Sequence, residues 1–169
     1  MPTLNQMLNT HGRYIALLYE DDLALLLTDT LRFAACRNGR EWGLQPDAIP
    51  FVIGEAEKLG LVNVGGQLQF LMPEDTCECF WVEVNALIGE PDGLTGVERV
   101  AFSAASARQQ MIEINHLYDF VEEGRRAFAD TFAAYEATGG NVGDRMCFIW
   151  YLQAEPSVMA SPPVYGFTT

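Results

Sequence analysis

The side chains with the widest catalytic chemistry are few in this sequence. There are two histidines, His11 and His116, and Glu113 with His116 forms a Glu-x-x-His pair. On a helix this spacing puts a carboxylate and an imidazole on one face, as in di-iron carboxylate bundles, but such sites need two of these pairs and further glutamates. His11 lies near the terminus and does not provide the second pair. We therefore predict no metal here, and a hydrogen-bonded helix residue instead.

The four cysteines do not have the spacing of a zinc site. Cys77 and Cys79 would share one face of a strand, whereas Cys36 and Cys147 are isolated in the sequence. Structural zinc sites combine two cysteines separated by two to four residues with a second such pair. We predict that Cys77 and Cys79 are buried as small hydrophobic residues and that all four thiols are reduced.

Motifs for nucleophilic or nucleotide chemistry are missing from the sequence. It contains no Gly-x-Ser-x-Gly elbow and no phosphate-binding glycine loop, and Gly139, Gly140 and Gly143 are interpreted as turn residues. Carboxylate pairs such as Glu74 with Glu78 have the chemistry of a glycosidase, but acids are too abundant for their spacing to be informative. We predict no cofactor. An enzyme with a noncanonical carboxylate and histidine site remains an alternative.

Acidity is the most unusual property of the chain. Among 169 residues, 23 acidic side chains oppose 10 basic ones, for a formal net charge of -13. Such a field repels nucleic acid, which proteins bind by placing cations on phosphates, and it attracts basic partners. We expect a basic protein partner and no direct contact with nucleic acid. Maintenance of solubility alone would also explain the charge.

Three clusters of acids accompany apolar elements. Electrostatic attraction raises the rate of encounter with a basic partner, and aromatic side chains then anchor the contact. Trp42 and Trp81 are further possible anchors, and Asp119, Glu122 and Glu123 form the third cluster. Each cluster is also compatible with a solvated polar face. The residues that we predict to bind the partner are Glu20, Asp21, Asp22, Glu74, Asp75, Glu78, Phe80 and Glu83.

Helical spacing and alternation define the elements of the first half. Leucines after Glu20 predict an amphipathic helix that ends at Arg37, before Asn38 and Gly39. A second helix starts at Pro46 and ends before residue 60. Alternating residues 61–64 and 67–72, separated by two glycines, predict a hairpin, and residues 76–84 a third strand after a turn at residues 73–75.

The second half is predicted to contain a loop, helices and a central strand. Residues 89–96 form the loop, and residues 97–102 add a strand. From Ser106 as N-cap, the apolar stripe predicts two helices, or one kinked at Gly124, which stop at residues 139–140. The short apolar run 146–152 is typical of a strand at the centre of a sheet.

The order of elements indicates an α+β fold. We predict a mainly antiparallel sheet of about four to five strands with helices on one face, in a single domain over residues 1–156, and an extended or loosely packed tail over residues 157–169. Two helices followed by a hairpin would also match a winged helix. Because its acidic second helix cannot clamp phosphates, such a fold would be used for protein contact and not for binding DNA. No apolar run is long enough to cross a membrane and no secretory signal is recognisable, so we expect a cytoplasmic protein.

These properties favour a binding protein over an enzyme. We expect an acidic protein that occludes a basic macromolecular partner, of the inhibitor, immunity or phage anti-defence type. Changing Asp21 and Asp22, or Glu78 and Glu83, to lysine should then slow association and weaken its salt dependence. A structural or assembly subunit is the other alternative, and homo-oligomer formation is compatible with either function.

Overall fold

A computed structural model of the protein describes residues 35–38 and 41–155. Two short 3-10 turns, Pro46–Ala48 and Val142–Arg145, join its helices and strands. The helices are α1 (Ile49–Lys58), α2 (Gly96–Leu117), α3 (Phe120–Ala127) and α4 (Ala129–Ala137). The strands are β1 (Cys36–Asn38), β2 (Glu41–Leu44), β3 (Leu61–Leu71), β4 (Thr76–Asn85) and β5 (Met146–Ala154).

The strands form one antiparallel sheet in the order β1-β2-β5-β3-β4. The last strand of the described chain, β5, lies at the centre, which confirms the prediction from its continuous apolar run. Its pairing with β3 extends from Phe70 opposite Met146 to Leu61 opposite Ala154. The predicted α+β class, with an antiparallel sheet and helices on one face, is confirmed for the described residues.

The main core lies between the sheet and the helices. Phe148 of β5 contacts Phe120 of α3, and Phe70 of β3 contacts Phe132 of α4, both edge to face. Side chains on the opposite face of the sheet are buried as well, among them Val62, Gln69, Cys147 and Ile149. Because both faces of β5 are buried, its sequence is apolar without alternation.

The predicted hairpin at residues 65–66 is wrong. Both glycines lie inside β3, which continues from Leu61 to Leu71. A Cβ atom at Gly65 would lie 1.9 Å from the Val84 carbonyl oxygen, and one at Gly66 would lie 2.0 Å from that of Ile149. The glycines are therefore required because the neighbouring backbones approach closely on both sides, and not because the chain turns.

Residues 97–102, predicted as a strand, form the beginning of α2. The helix starts at Gly96 after Thr95, so that Ser106 lies inside the helix instead of capping it. The buried positions of α2 recur at helical spacing along its whole length, and this period overrides the β-branched residues near its start. They are Val100, Ser103, Ala104, Ala107, Met111 and Ile114.

Gly124 is not a kink. The chain instead leaves the helical conformation at Tyr118, and Asp119 caps α3 by accepting a hydrogen bond from the Glu122 amide at 3.2 Å. A Cβ atom at Gly124 would lie 2.6 Å from the rings of both Phe70 and Phe132. Its missing side chain lets α3 approach this aromatic pair.

The rest of the predicted organisation is confirmed in part. The second helix, the turn at residues 73–75 and the helix stop near Gly139 are present. Cys36–Asn38 is a strand and not a helix end, and β3 is not a hairpin, so the described chain does not have the winged-helix order. The predicted helix after Glu20 and the C-terminal tail lie outside the described residues.

Candidate functional site

Strand β4 forms an edge of the sheet and contains a bulge. Its register against β3 passes from Cys79 opposite Leu68 to Glu83 opposite Gln67, so residues 80–82 are inserted. Side chains alternate between the two faces of a strand, and a three-residue insertion reverses that alternation. Cys79 and Val82 are therefore both buried, while Phe80 and Trp81 between them are exposed.

The bulge presents two aromatic rings to solvent. Phe80 is 65% exposed and Trp81 is 37% exposed. Their ring centroids are 5.4 Å apart and the rings are nearly perpendicular, which is a favourable aromatic geometry. The pair therefore forms a small, preorganised apolar surface.

A hydrogen bond from the helix layer positions the tryptophan. Trp81 Nε1 donates to Glu123 Oε2 of α3 at 2.9 Å. Arg126 in turn forms an ion pair with Glu123. The predicted acidic cluster on α3 is thus already engaged, since Asp119 caps the helix, Glu122 pairs with Arg125, and Glu123 holds the indole.

Acids flank the aromatic pair along the strand. Glu78 and Glu83 are exposed on either side of it. Glu78 and Glu83 are five positions apart, so they would lie on opposite faces of a regular strand. The three inserted residues reverse the alternation, and both glutamates therefore point away from the core. We call the four residues Glu78, Phe80, Trp81 and Glu83 the β4 edge patch.

Glu74 and Asp75 lie in the turn before β4, beyond one end of this patch. Both are exposed, and Asp75 Oδ1 accepts a hydrogen bond from the Thr76 amide at 2.8 Å. At about 3.3 Å per residue, Glu74 is up to about 30 Å along the chain from Glu83. The structure therefore places five predicted residues on one edge of the sheet, while Glu20, Asp21 and Asp22 lie outside the described residues.

An open groove of about 700 Å³ adjoins this turn. Glu74, Asp75 and Asp130 contribute three carboxylates to it, and Tyr135 contributes an aromatic ring. Asp130 and Tyr135 belong to α4, which no local sequence signal links to the turn. The complete lining is Met72, Pro73, Glu74, Asp75, Asp130, Thr131, Ala134, Tyr135 and Thr138.

The far end of β4 is closed by a side chain. Gln110 of α2 accepts from the Asn85 amide at 2.9 Å and donates to the Asn85 carbonyl oxygen at 2.8 Å, as a neighbouring strand would. Exposed charges and bulges also protect sheet edges from unwanted pairing. Edge protection is thus a structural role that the glutamates of β4 perform whether or not a partner binds.

The other candidate residues have structural contacts. Glu113 accepts a hydrogen bond from Gln109 at 2.8 Å. Cys77 and Cys79 are completely buried in the core, which confirms the prediction. Burial raises the pKa of both thiols, that of Cys79 to about 12. Within residues 35–38 and 41–155, no three His, Cys, Asp or Glu side chains are grouped so that they could hold a metal ion.

Comparison with known proteins gives no match to a family model, to a curated protein or to a solved structure. No helix in the described part of the chain is long and apolar enough to cross a membrane. The site must therefore be interpreted from its own chemistry.

Proposed function

We propose that this protein binds a basic macromolecular partner, a protein, and occludes its functional surface. The observation that carries the proposal is the bulge of β4, which exposes the Phe80–Trp81 pair between Glu78 and Glu83. Proteins that act in this way include inhibitors, immunity proteins and phage anti-defence proteins. The β4 edge patch is the proposed contact surface.

The patch contains both kinds of side chain that binding requires, acidic ones for encounter and aromatic ones for the final complex. Acidic side chains accelerate encounter with a basic surface, and their contribution appears mainly in the association rate. Large aromatic side chains provide most of the affinity once water is excluded, which appears mainly in the dissociation rate. Phe80 has most of its side chain available for such burial.

The groove beside α4 extends the proposed surface. Its three carboxylates lie next to an aromatic ring, an environment suited to an arginine or lysine side chain of the partner. A partner that covered both the patch and the groove would contact the edge from Glu74 to Glu83. Electrostatic attraction from the net charge of -13 would act on it from farther away.

We further propose that this occlusion takes place in the cytoplasm. All four cysteines are free thiols. Reducing compartments keep cysteines in this state, whereas small exported domains commonly rely on disulfides.

The experiment begins with capture of a partner from a nuclease-treated lysate of the native host, at low and at physiological ionic strength. The retained protein is identified, purified and tested for binding in defined solution. Glu78→Lys combined with Glu83→Lys should slow association at least tenfold and weaken its salt dependence. Phe80→Ala should instead accelerate dissociation by about thirtyfold, which corresponds to a hot spot of about 2 kcal/mol.

The matched control is Asp47→Lys combined with Glu98→Lys, which changes the net charge equally. Both residues are exposed, and neither belongs to β4. Asp47 follows β2, and Glu98 lies near the start of α2, beside the Arg99 that pairs with Glu155. Association of this control should slow much less. Equal slowing by both double variants, or no stoichiometric basic protein among those retained, would contradict the proposal.

A further inference from the structure

Two thiols from non-adjacent strands converge over a glycine, independently of the β4 edge patch. Gly43 of β2 is paired with Cys36 of β1 on one side and with Ile149 of β5 on the other. A Cβ atom at Gly43 would lie 2.7 Å from Cys36 Sγ and 2.6 Å from Cys147 Sγ. The two sulfurs therefore cannot be farther apart than the sum of these distances.

This geometry does not suit a disulfide. Because β2 lies between β1 and β5, the backbones that carry Cys36 and Cys147 are two strand spacings apart, about 9.5 Å. A disulfide joins Cα atoms that are usually less than about 7 Å apart. Both cysteines are free, and the fold keeps them as a pair of facing thiols.

The two thiols differ in their surroundings. Cys147 is completely buried, whereas Cys36 is partly exposed and lies 3.3 Å from the Gly43 carbonyl oxygen, to which its neutral thiol donates. A hydrogen bond from Cys147 lowers the pKa of Cys36, and donating that hydrogen bond, together with burial, raises the pKa of Cys147. Cys36 is thus the solvent-accessible member of the pair.

We propose that Cys36 and Cys147 form a two-coordinate site for a soft cation of the copper(I) class, which both sulfurs can reach because Gly43 places no side chain between them. Thiolates are the ligands that select copper(I) among biological metals. Metal–thiolate bonds are about 2.3 Å long, and two of them in line span less than the largest sulfur separation that the two distances to Gly43 allow.

Binding involves no change of oxidation state. Each thiol loses one proton to solvent, and each sulfur forms one bond to the cation, so a neutral dithiol and one monovalent cation become an anionic complex and two protons. Affinity should consequently rise with pH, because protons compete with the metal for both sulfurs.

The other cysteine pair provides a contrast within the same protein. Cys77 and Cys79 follow one another on the core face of β4 and pack among the buried residues beneath the helices. Burial raises the pKa of both, and among the described glycines none has either sulfur as a near neighbour. They are a natural control for binding that depends only on the number of thiols.

The test uses the full chain, reduced and kept under anaerobic conditions, with copper(I) supplied in competition with a chromophoric copper(I) chelator. The wild type should retain one equivalent of copper. Cys36→Ser and Cys147→Ser should each weaken retention at least a hundredfold, while Cys77→Ala should retain the full equivalent. Gly43→Ala, which adds a methyl group between the sulfurs, should also reduce retention.

Circular dichroism and thermal unfolding of every variant separate loss of the site from loss of the fold. Cys36→Ser lies on the edge strand β1 and replaces the thiol with a similar hydrogen-bonding group, so its fold should be maintained. The proposal is overturned if the wild type leaves all copper with the chelator. It is also overturned if folded Cys36→Ser retains the full equivalent, or if Cys77→Ala loses it.

Discussion

Strand β3 has two neighbours, and they differ in almost every respect. Towards β5 its pairing covers nearly the length of both strands, with a single register shift between Asn63 and Gly65, and most side chains on both faces are buried. Towards β4 the pairing is interrupted by three inserted residues, and aromatic and acidic side chains are exposed. The same strand thus supports a packed centre and an irregular edge. Irregular structure that the packing of the core does not require is a good indicator of a functional site.

Equivalent substitutions in β5 and in β4 should reduce the free energy of unfolding by different amounts. Phe148→Ala in β5 removes a completely buried ring that contacts Phe120 at 5.5 Å, and it should destabilise the protein by about 3–5 kcal/mol. Phe80→Ala in β4 should change stability by no more than about 0.5 kcal/mol. Urea denaturation of both variants measures the difference. Similar losses would mean that the edge patch belongs to the core.

A second pair of substitutions separates close contact from backbone strain. Gly66→Ala at the centre places a Cβ atom 2.0 Å from the Ile149 carbonyl oxygen and should cost about 3 kcal/mol. Gly93→Ala lies in a loop with φ +82° and has no atom within 4 Å, so only the left-handed conformation opposes it, at about 1 kcal/mol. Equilibrium unfolding should rank them in this order, and the reverse order would refute the close approach of β3 and β5.

Hydrogen bonds made by serines of α2 should follow the same ranking. Ser103 Oγ accepts from the buried Asn63 amide at 3.0 Å, so Ser103→Ala leaves that donor without its partner and should cost about 2 kcal/mol. Ser106 Oγ accepts from Gln110 near the edge at 3.0 Å, and Ser106→Ala should cost less than about 1 kcal/mol, because water can replace it. Amide hydrogen exchange at Asn63 would show whether the loss is local.

The smallest effect should come from an ion pair outside both regions of the sheet. Arg125 of α3 donates two hydrogen bonds to Glu136 of α4, at 2.9 and 2.7 Å. Hydrogen bonding by this guanidinium lowers the pKa of Glu136 below its ordinary value of 4.5. A lowered carboxyl pKa stabilises the fold above 4.5, and that contribution is lost as the pH falls through the folded value.

Glu136→Gln should therefore be slightly less stable than the wild type at neutral pH and should equal it in acid. Thermal unfolding across this pH range is the measurement. A difference that persists well below pH 4.5 would show that the substitution acts through packing and not through the charge.

The sequence was most informative where structure depends on neighbouring residues. Helical spacing located α1, and a short apolar run located the central strand β5. The acids and Phe80 of β4 were also recognisable as candidates from composition and position. The glycines of β3 were misinterpreted because a turn and a close approach between strands both require a missing side chain, and only the neighbours distinguish them.

By itself, the sequence determined the acidity of the protein, its α+β class and the presence of aromatic residues among acids in β4. Tertiary structure alone decided that residues 80–82 bulge, that Trp81 is held by Glu123, and that Cys36 and Cys147 meet over Gly43. The physical reason is range. Periodicity and turn chemistry act over a few residues, whereas strand order joins residues more than a hundred positions apart, and local spacing contains no information about those pairings.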